Sequence, residues 1–149
     1  KSLHMYTRGA HHKDIFNHLC FLNNVYLHEL IPSNDLAKVY SQPSITIVPL
    51  SQVASQCAFP SRIATAVSLG SPVLVITDIL ENNYLADFVN KYKIGLVLTK
   101  TDQLNNEDWI TNDFKSNFNY YQQNCLKLYE KFFTLNKNIE DIKNTIESI

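Results

Sequence analysis

The sequence has no paired cysteines. Its three, Cys20, Cys57 and Cys125, are far apart, odd in number and never in a C-x-x-C arrangement. That argues against a disulfide framework and suits unpaired thiols in a reducing compartment. Arginine is nearly missing: Arg8 and Arg62 are the only two. With a formal net charge of −1, the chain lacks the basic excess of a nucleic-acid surface. No apolar run is long enough to span a membrane. Glycine is scarce, with 3 in 149 residues, and neither a Walker A loop nor G-x-G-x-x-G occurs. A P-loop or a dinucleotide fingerprint is therefore not expected. The five histidines include His11, His12 and His18, but no third or fourth ligand follows at metal spacing, so no metal site is expected. The start, KSLHMYTRG, shows neither a signal-peptide pattern nor an initiator Met. It enters strand-like sequence at once, so the chain reads as a piece of something longer.

What is present is an ordinary core-forming composition, 45% hydrophobic and 18% charged. Five short apolar runs stand out, at 2–7, 23–30, 44–50, 71–78 and 94–99. Several are continuous rather than alternating, as strands buried on both faces are. Helical patterns lie between them. Ile15, Phe16 and Leu19 share a face, as do Leu36, Val39 and Tyr40 after a Ser33 or Asn34 cap. Ile63, Ala66 and Val67 precede Gly70, a natural helix terminator, and Leu85, Phe88, Val89 and Tyr92 precede Gly95. Strand alternating with helix predicts an α/β fold: a Rossmann-like parallel sheet with helices on both faces. A polar loop at 99–113 closes that part, residues 1–113. C-terminal helices follow over 114–149, with stripes Phe118, Tyr121, Cys125, Leu128, Phe132 and then Leu135, Ile139, Ile142, Ile146. The last stripe is expected to pack on this domain or on another.

Ligands of open parallel sheets bind outside the carboxyl ends of the strands. Both arginines fall on that edge. Pro60 suits the first position of a helix, because its missing N–H would be unpaired there anyway. The next N–H groups and the helix dipole favour an anion. Ser61 adds a hydroxyl donor, and Arg62 a fixed charge with forked donors. Together they describe a phosphate site. Against it stands an ordinary helix start with a surface arginine. No Ser-His-Asp order, Cys–His pair or carboxylate pair declares itself. Asp78 and Glu81 read as a cap or a solvated pair.

The order of signals NNVYLHELIPSNDLAKVYSQPSITIVPL, FPSRIATAVSLGSPVLVITD and KYKIGLVLT resembles the C-terminal, donor-binding domain of GT-B glycosyltransferases. The likeness is to GT4-like enzymes of bacterial surface-polysaccharide synthesis, over roughly residues 2–100. The subgroup with Pro-Ser-Lys at the helix start matches best, with Arg62 standing where lysine is common. The resemblance implies transfer of a sugar from an NDP-sugar, UDP- or GDP-linked, to a glycan or lipid-linked acceptor. It implies retention at the anomeric carbon, no further cofactor, and a cytoplasmic enzyme peripheral to the inner face of the membrane. The backbone near Leu30 and Ile31 would border the base. The loop Cys57-Ala58-Phe59 and the helix start Ser61-Arg62 would meet the diphosphate and sugar, with Arg62 stabilising the leaving group and Arg8 a second cation for that pocket. The family often carries a glutamate at the position of Thr65 and another near Cys57; this chain has neither, and Thr65 offers a hydroxyl instead.

The resemblance also implies that the chain starts one βα unit late. The family's strand between those matching 2–7 and 44–50 is missing, and so is the acceptor-binding N-terminal domain. A missing N-terminal domain or a second chain would then complete the sheet. The alternative is a non-catalytic GT-B-like partner subunit acting through protein contacts. A flavodoxin-like or receiver-type domain is a third reading; a receiver would need acidic residues where Thr7 and Arg8 stand.

Overall fold

The computed structural model describes residues 2–6, 12–19, 21–40, 42–50, 59–78, 81, 83–99 and 107–147. The chain is α/β, and among the described residues all strand pairs are parallel. It divides into two compact units, Lys1–Ser41 and Gln42–Ile149.

In the first unit, β1 (Leu3–Tyr6) is followed by α1 (His12–Leu19) and β2 (Val25–His28). The two strands pair in the register Leu3↔Val25 to Tyr6↔His28. A 3-10 turn, Ser33–Asp35, then leads into the single helical turn α2 (Leu36–Val39). Ser33 and Asn34 lie inside that turn, so the N-cap is Asp35 rather than either of them, and its side chain makes no capping bond.

The second unit carries β3 (Thr46–Pro49), α3 (Ser61–Ser68), β4 (Val73–Thr77), α4 (Tyr84–Tyr92), β5 (Gly95–Thr99), α5 (Glu107–Phe132) and α6 (Leu135–Glu147). Its sheet runs β3-β4-β5. Alternate residues face opposite sides. Val48, Val73 and Val75 pack with Ile63, Ala66 and Val67 of α3 and with Leu85 and Val89 of α4. Leu74 and Leu98 meet Phe114 and Tyr121 of α5. Helices thus cover both faces. Burying each large aliphatic side chain is worth ~1.5–3 kcal/mol, which outweighs the few tenths that β-branched Val67 and Thr65 cost α3 in propensity.

α3 ends as its Gly70 suggests. Gly70 has φ 64. Its N–H bonds Val67 O at 3.1 Å, and the Ser71 N–H bonds Ala66 O at 2.8 Å, the two bonds of a Schellman terminus. α4 ends differently. The left-handed residue is Lys93, at φ 51, and Gly95 serves strand packing instead: a Cβ there would lie 1.8 Å from Val73 O.

The stretch expected as a loop to residue 113 is helical from Glu107. Ile110 and Phe114, one turn apart, find Leu74 and Leu98 beneath them. The same helix then crosses the amino edge of the sheet. Cys125 and Leu128 join the first core cluster. The Cys125 thiol points at Ser71 O, 3.6 Å away, and at Ile94 O, 3.8 Å away. Ser71 lies two residues before β4, and Ile94 directly precedes β5. Asn124 Nδ2 donates to Lys93 O at 2.9 Å, tying the end of α4 to the same helix. Among the described residues no helix is long and apolar enough to cross a membrane.

Candidate functional site

A four-residue link, Leu69-Gly70-Ser71-Pro72, joins the end of α3 to β4. So short a connection makes α3 run antiparallel to β4. Eight residues of helix span about 12 Å, which carries Ser61 back toward the carboxyl edge of the strands. With α5 laid across the amino edge, the start of α3 lies at the opposite end of the unit.

Pro60 is the N-cap, with φ −64 and ψ 127, and the helix begins at Ser61. This moves the proline one position outward from the expected first helical residue, because its ψ is still extended. The consequence for an anion is favourable. No side chain caps the helix, and Ile63 N bonds back to Pro60 O at 2.9 Å. The Ser61 and Arg62 N–H groups precede any intrahelical acceptor. Both side chains are exposed, and no described carboxylate pairs with Arg62. Phe59 stands just before, half exposed, with its ring edge-on to Phe88 at 5.0 Å. That contact fixes where the chain enters the helix.

Thr65 lies one turn on, partly buried. Its carbonyl accepts from Ser68 Oγ at 2.8 Å and from Leu69 N at 3.2 Å. The structure therefore gathers Phe59, Ser61, Arg62 and Thr65 on one short segment. Leu30 and Ile31 follow β2 in the other unit, Leu30 48% exposed and Ile31 partly so. Arg8, Cys57 and Ala58 lie outside the described residues.

Two features of this unit, one at each edge of its sheet, are not evident in the sequence. Asn83 and Thr77 are fully buried, and Asn83 Nδ2 donates to Thr77 Oγ1 at 3.0 Å. The Asn83 Oδ1 accepts the Ala86 N–H at 3.0 Å, capping α4. Neither Asp78 nor Glu81 does so; both are exposed. The signal was present, an asparagine directly before a helical pattern, but two candidate acids nearby obscured it. Second, a cleft of about 330 Å³ is bordered by Lys93, Gly95, Asn117 and Tyr120. It lies at the start of β5, on the edge away from Ser61, and gathers no phosphate-binding cation set beyond Lys93.

Two groups are held out of chemistry. Burial pushes the Cys125 thiol up to about 12, so it is neither nucleophile nor ligand near neutrality. Burial, together with the hydrogen bond from Tyr121 Oη to Asp113 Oδ1 at 2.8 Å, holds the Tyr121 phenol far above the usual range. At the start of α3, the carboxyl edge presents backbone N–H groups, the Ser61 hydroxyl and the Arg62 guanidinium, beside the exposed carboxylates of Asp78 and Glu81.

Comparison with protein-family models, with curated proteins and with solved structures finds no match to this chain.

Proposed function

We propose that this chain is the donor-binding part of a GT-B glycosyltransferase that transfers a sugar from an NDP-sugar to a glycan or lipid-linked acceptor. One observation carries the reading: an uncapped helix start with exposed Ser61 and Arg62 at the carboxyl edge of a parallel sheet, where ligands of such sheets bind. The chemistry asked of it is modest. As the bond from the anomeric carbon to the diphosphate breaks, negative charge builds on the leaving phosphate. The Ser61 and Arg62 N–H groups and the guanidinium stabilise that charge from fixed positions, with no metal required. Thr65, one turn deeper, offers a hydroxyl where the family often carries a ribose-binding carboxylate. A base for the acceptor would come from outside this chain.

The strand pairing supports the same reading. β1 pairs only with β2, and β3 pairs only with β4, among the described residues. Both β1 and β3 therefore keep an unpaired edge, each within its own sheet. A further strand, from a missing domain or a second chain, would satisfy those backbone groups.

A specific observation favours the second reading, a partner subunit acting through protein contacts. Leu135, Ile139, Ile142 and Ile146 of α6 are 44–73% exposed along one stripe, a face suited to another protein surface.

Nucleotide binding separates the two. Under the enzyme reading, UDP or GDP raises the melting temperature of the protein, and Arg62→Ala removes most of the rise. Under the partner reading, neither nucleotide has any effect.

A further inference from the structure

The first unit holds a pair of imidazoles that no spacing in the sequence reveals. His4 and His28 are 24 residues apart in the chain. In the parallel register His4 faces Tyr26, and Tyr6 faces His28. Since alternate residues share a face, these four side chains form one side of the two-stranded sheet. Leu3, Met5, Val25 and Leu27 form the other. His4 stacks on Tyr26 with centroids 4.9 Å apart and planes 16° apart, and Tyr6 stacks on His28 at 4.5 Å and 14°.

Across the diagonal, His4 Nδ1 lies 3.0 Å from His28 Nε2. The two ring planes differ by 9° and the centroids are 5.2 Å apart. A centroid separation that much longer than the nitrogen separation means the rings meet edge to edge in nearly one plane. At this distance one ring donates an N–H and the other accepts, the roles being set by the tautomers. The far nitrogen, His4 Nε2, lies 3.1 Å from Ser2 Oγ. With Nε2–H donating to that hydroxyl, Nδ1 presents its lone pair to His28.

We propose that His4 Nδ1 and His28 Nε2 form a two-imidazole site for a divalent transition-metal ion of the copper, nickel or zinc group. Three observations carry it. Two nitrogens already converge from neighbouring strands. A hydroxyl orients the outer nitrogen of one ring, the arrangement that fixes the tautomer of metal-bound histidines. His4 is exposed and His28 only partly buried, so the ion and its waters can enter. Bonds to imidazole nitrogen run about 2.0–2.1 Å. The rings need to part by no more than about 1 Å for a straight N–metal–N arrangement, and less for a bent one. On binding, the proton between the rings moves to His28 Nδ1, and the ion takes its place. No group of three or more His, Cys, Asp or Glu converges among the described residues. Water would therefore complete the coordination, and the site selects ions with a strong preference for imidazole, copper above nickel and zinc. Bound there, the ion would pin β1 to β2.

Isothermal titration of the 149-residue chain with Ni²⁺, a probe that does not oxidise thiols, tests the site. His4→Phe and His28→Phe keep the aromatic stacks and remove the nitrogens, and circular dichroism checks that each variant folds. The expected result is one equivalent of Ni²⁺, bound ~10-fold or more weakly by each Phe variant, and bound unchanged when His11 and His12 are both replaced by Ala. No binding by the wild-type chain, or binding of undiminished affinity in either folded Phe variant, overturns the proposal.

Discussion

Asn83 ties the end of β4 to the start of α4: its Nδ2 donates to Thr77 Oγ1 at 3.0 Å and its Oδ1 accepts from the Ala86 N–H at 3.0 Å. Both side chains are wholly buried, so water cannot replace either bond. Asn83→Ala removes the helix cap and the donor to Thr77 together. The expected loss is ~1–3 kcal/mol in urea unfolding. Asn83→Ser, which can cap the helix but is too short to reach Thr77, should fall between wild type and Ala. A loss below about 0.5 kcal/mol for the Ala variant would show that the bridge is not structural.

Gly95 and Gly70 should respond very differently to alanine. At Gly95 a Cβ would sit 1.8 Å from Val73 O, a backbone atom that cannot move without breaking the β4–β5 ladder. At Gly70, φ is +64 and the nearest atom is the flexible Leu126 side chain at 3.2 Å. Gly70→Ala is expected to cost ~1 kcal/mol, and Gly95→Ala at least about 3 kcal/mol or loss of folding. Equal unfolding midpoints for the two variants would contradict this packing.

The Cys125 thiol gives the protein an alkaline instability. Its folded value is raised from 9.0 to about 12 by burial. Between those values the unfolded chain loses a proton that the folded chain keeps. Stability from this group is therefore complete well below pH 9 and is lost as pH rises through and above it, the slope approaching ~1.4 kcal/mol per pH unit. Tyr121 shifts the same way but from a higher ordinary value of 10.0, so the window from about pH 8 to 9.5 reports mainly on the cysteine. Over that window the stability of Cys125→Ala should fall less steeply than that of wild type. Identical slopes would mean that the thiol already ionises in the folded state.

The strands were legible because each is a short apolar run bounded by Gly, Pro or polar residues. β4, with Val73, Leu74 and Val75 buried in succession, has no alternation to confuse it with a surface strand. The helix faces Ile63–Ala66–Val67 and Leu85–Val89 were equally plain, and both sets are buried.

The failures are local. Residues 107–113 read as loop because Glu107, Asp108, Asn112 and Asp113 hide a helix turn whose only apolar signals are Trp109 and Ile110, with Phe114 one turn beyond. Tertiary contact with Leu74 and Leu98 decides the matter there. Ser33 and Asn34 are good caps by residue type, but a 3-10 turn takes them up first. The two stripes of α5 and α6 have the same spacing in the sequence. Yet Cys125 and Leu128 are buried while Leu135 is 73% exposed, since periodicity marks a packing face without saying what packs on it. Of the candidate site, the helix start was visible through Pro60, Ser61 and Arg62. The Asn83–Thr77 bridge and the His4–His28 pair join residues distant in sequence or masked by better-looking neighbours, and needed the fold to bring them together.

The central claim is that the start of α3 binds the diphosphate of a nucleotide sugar through Arg62. Thermal unfolding of the protein with millimolar UDP or GDP, in wild type and in Arg62→Ala, measures it most directly. A ligand at 100 times its Kd stabilises by ~2.7 kcal/mol, which raises Tm by several degrees in a domain of this size. The expected result is such a rise with at least one of the two nucleotides and its loss in Arg62→Ala, whose own Tm without ligand stays close to wild type because the side chain is exposed. No shift with either nucleotide, or the same shift in Arg62→Ala, would contradict it.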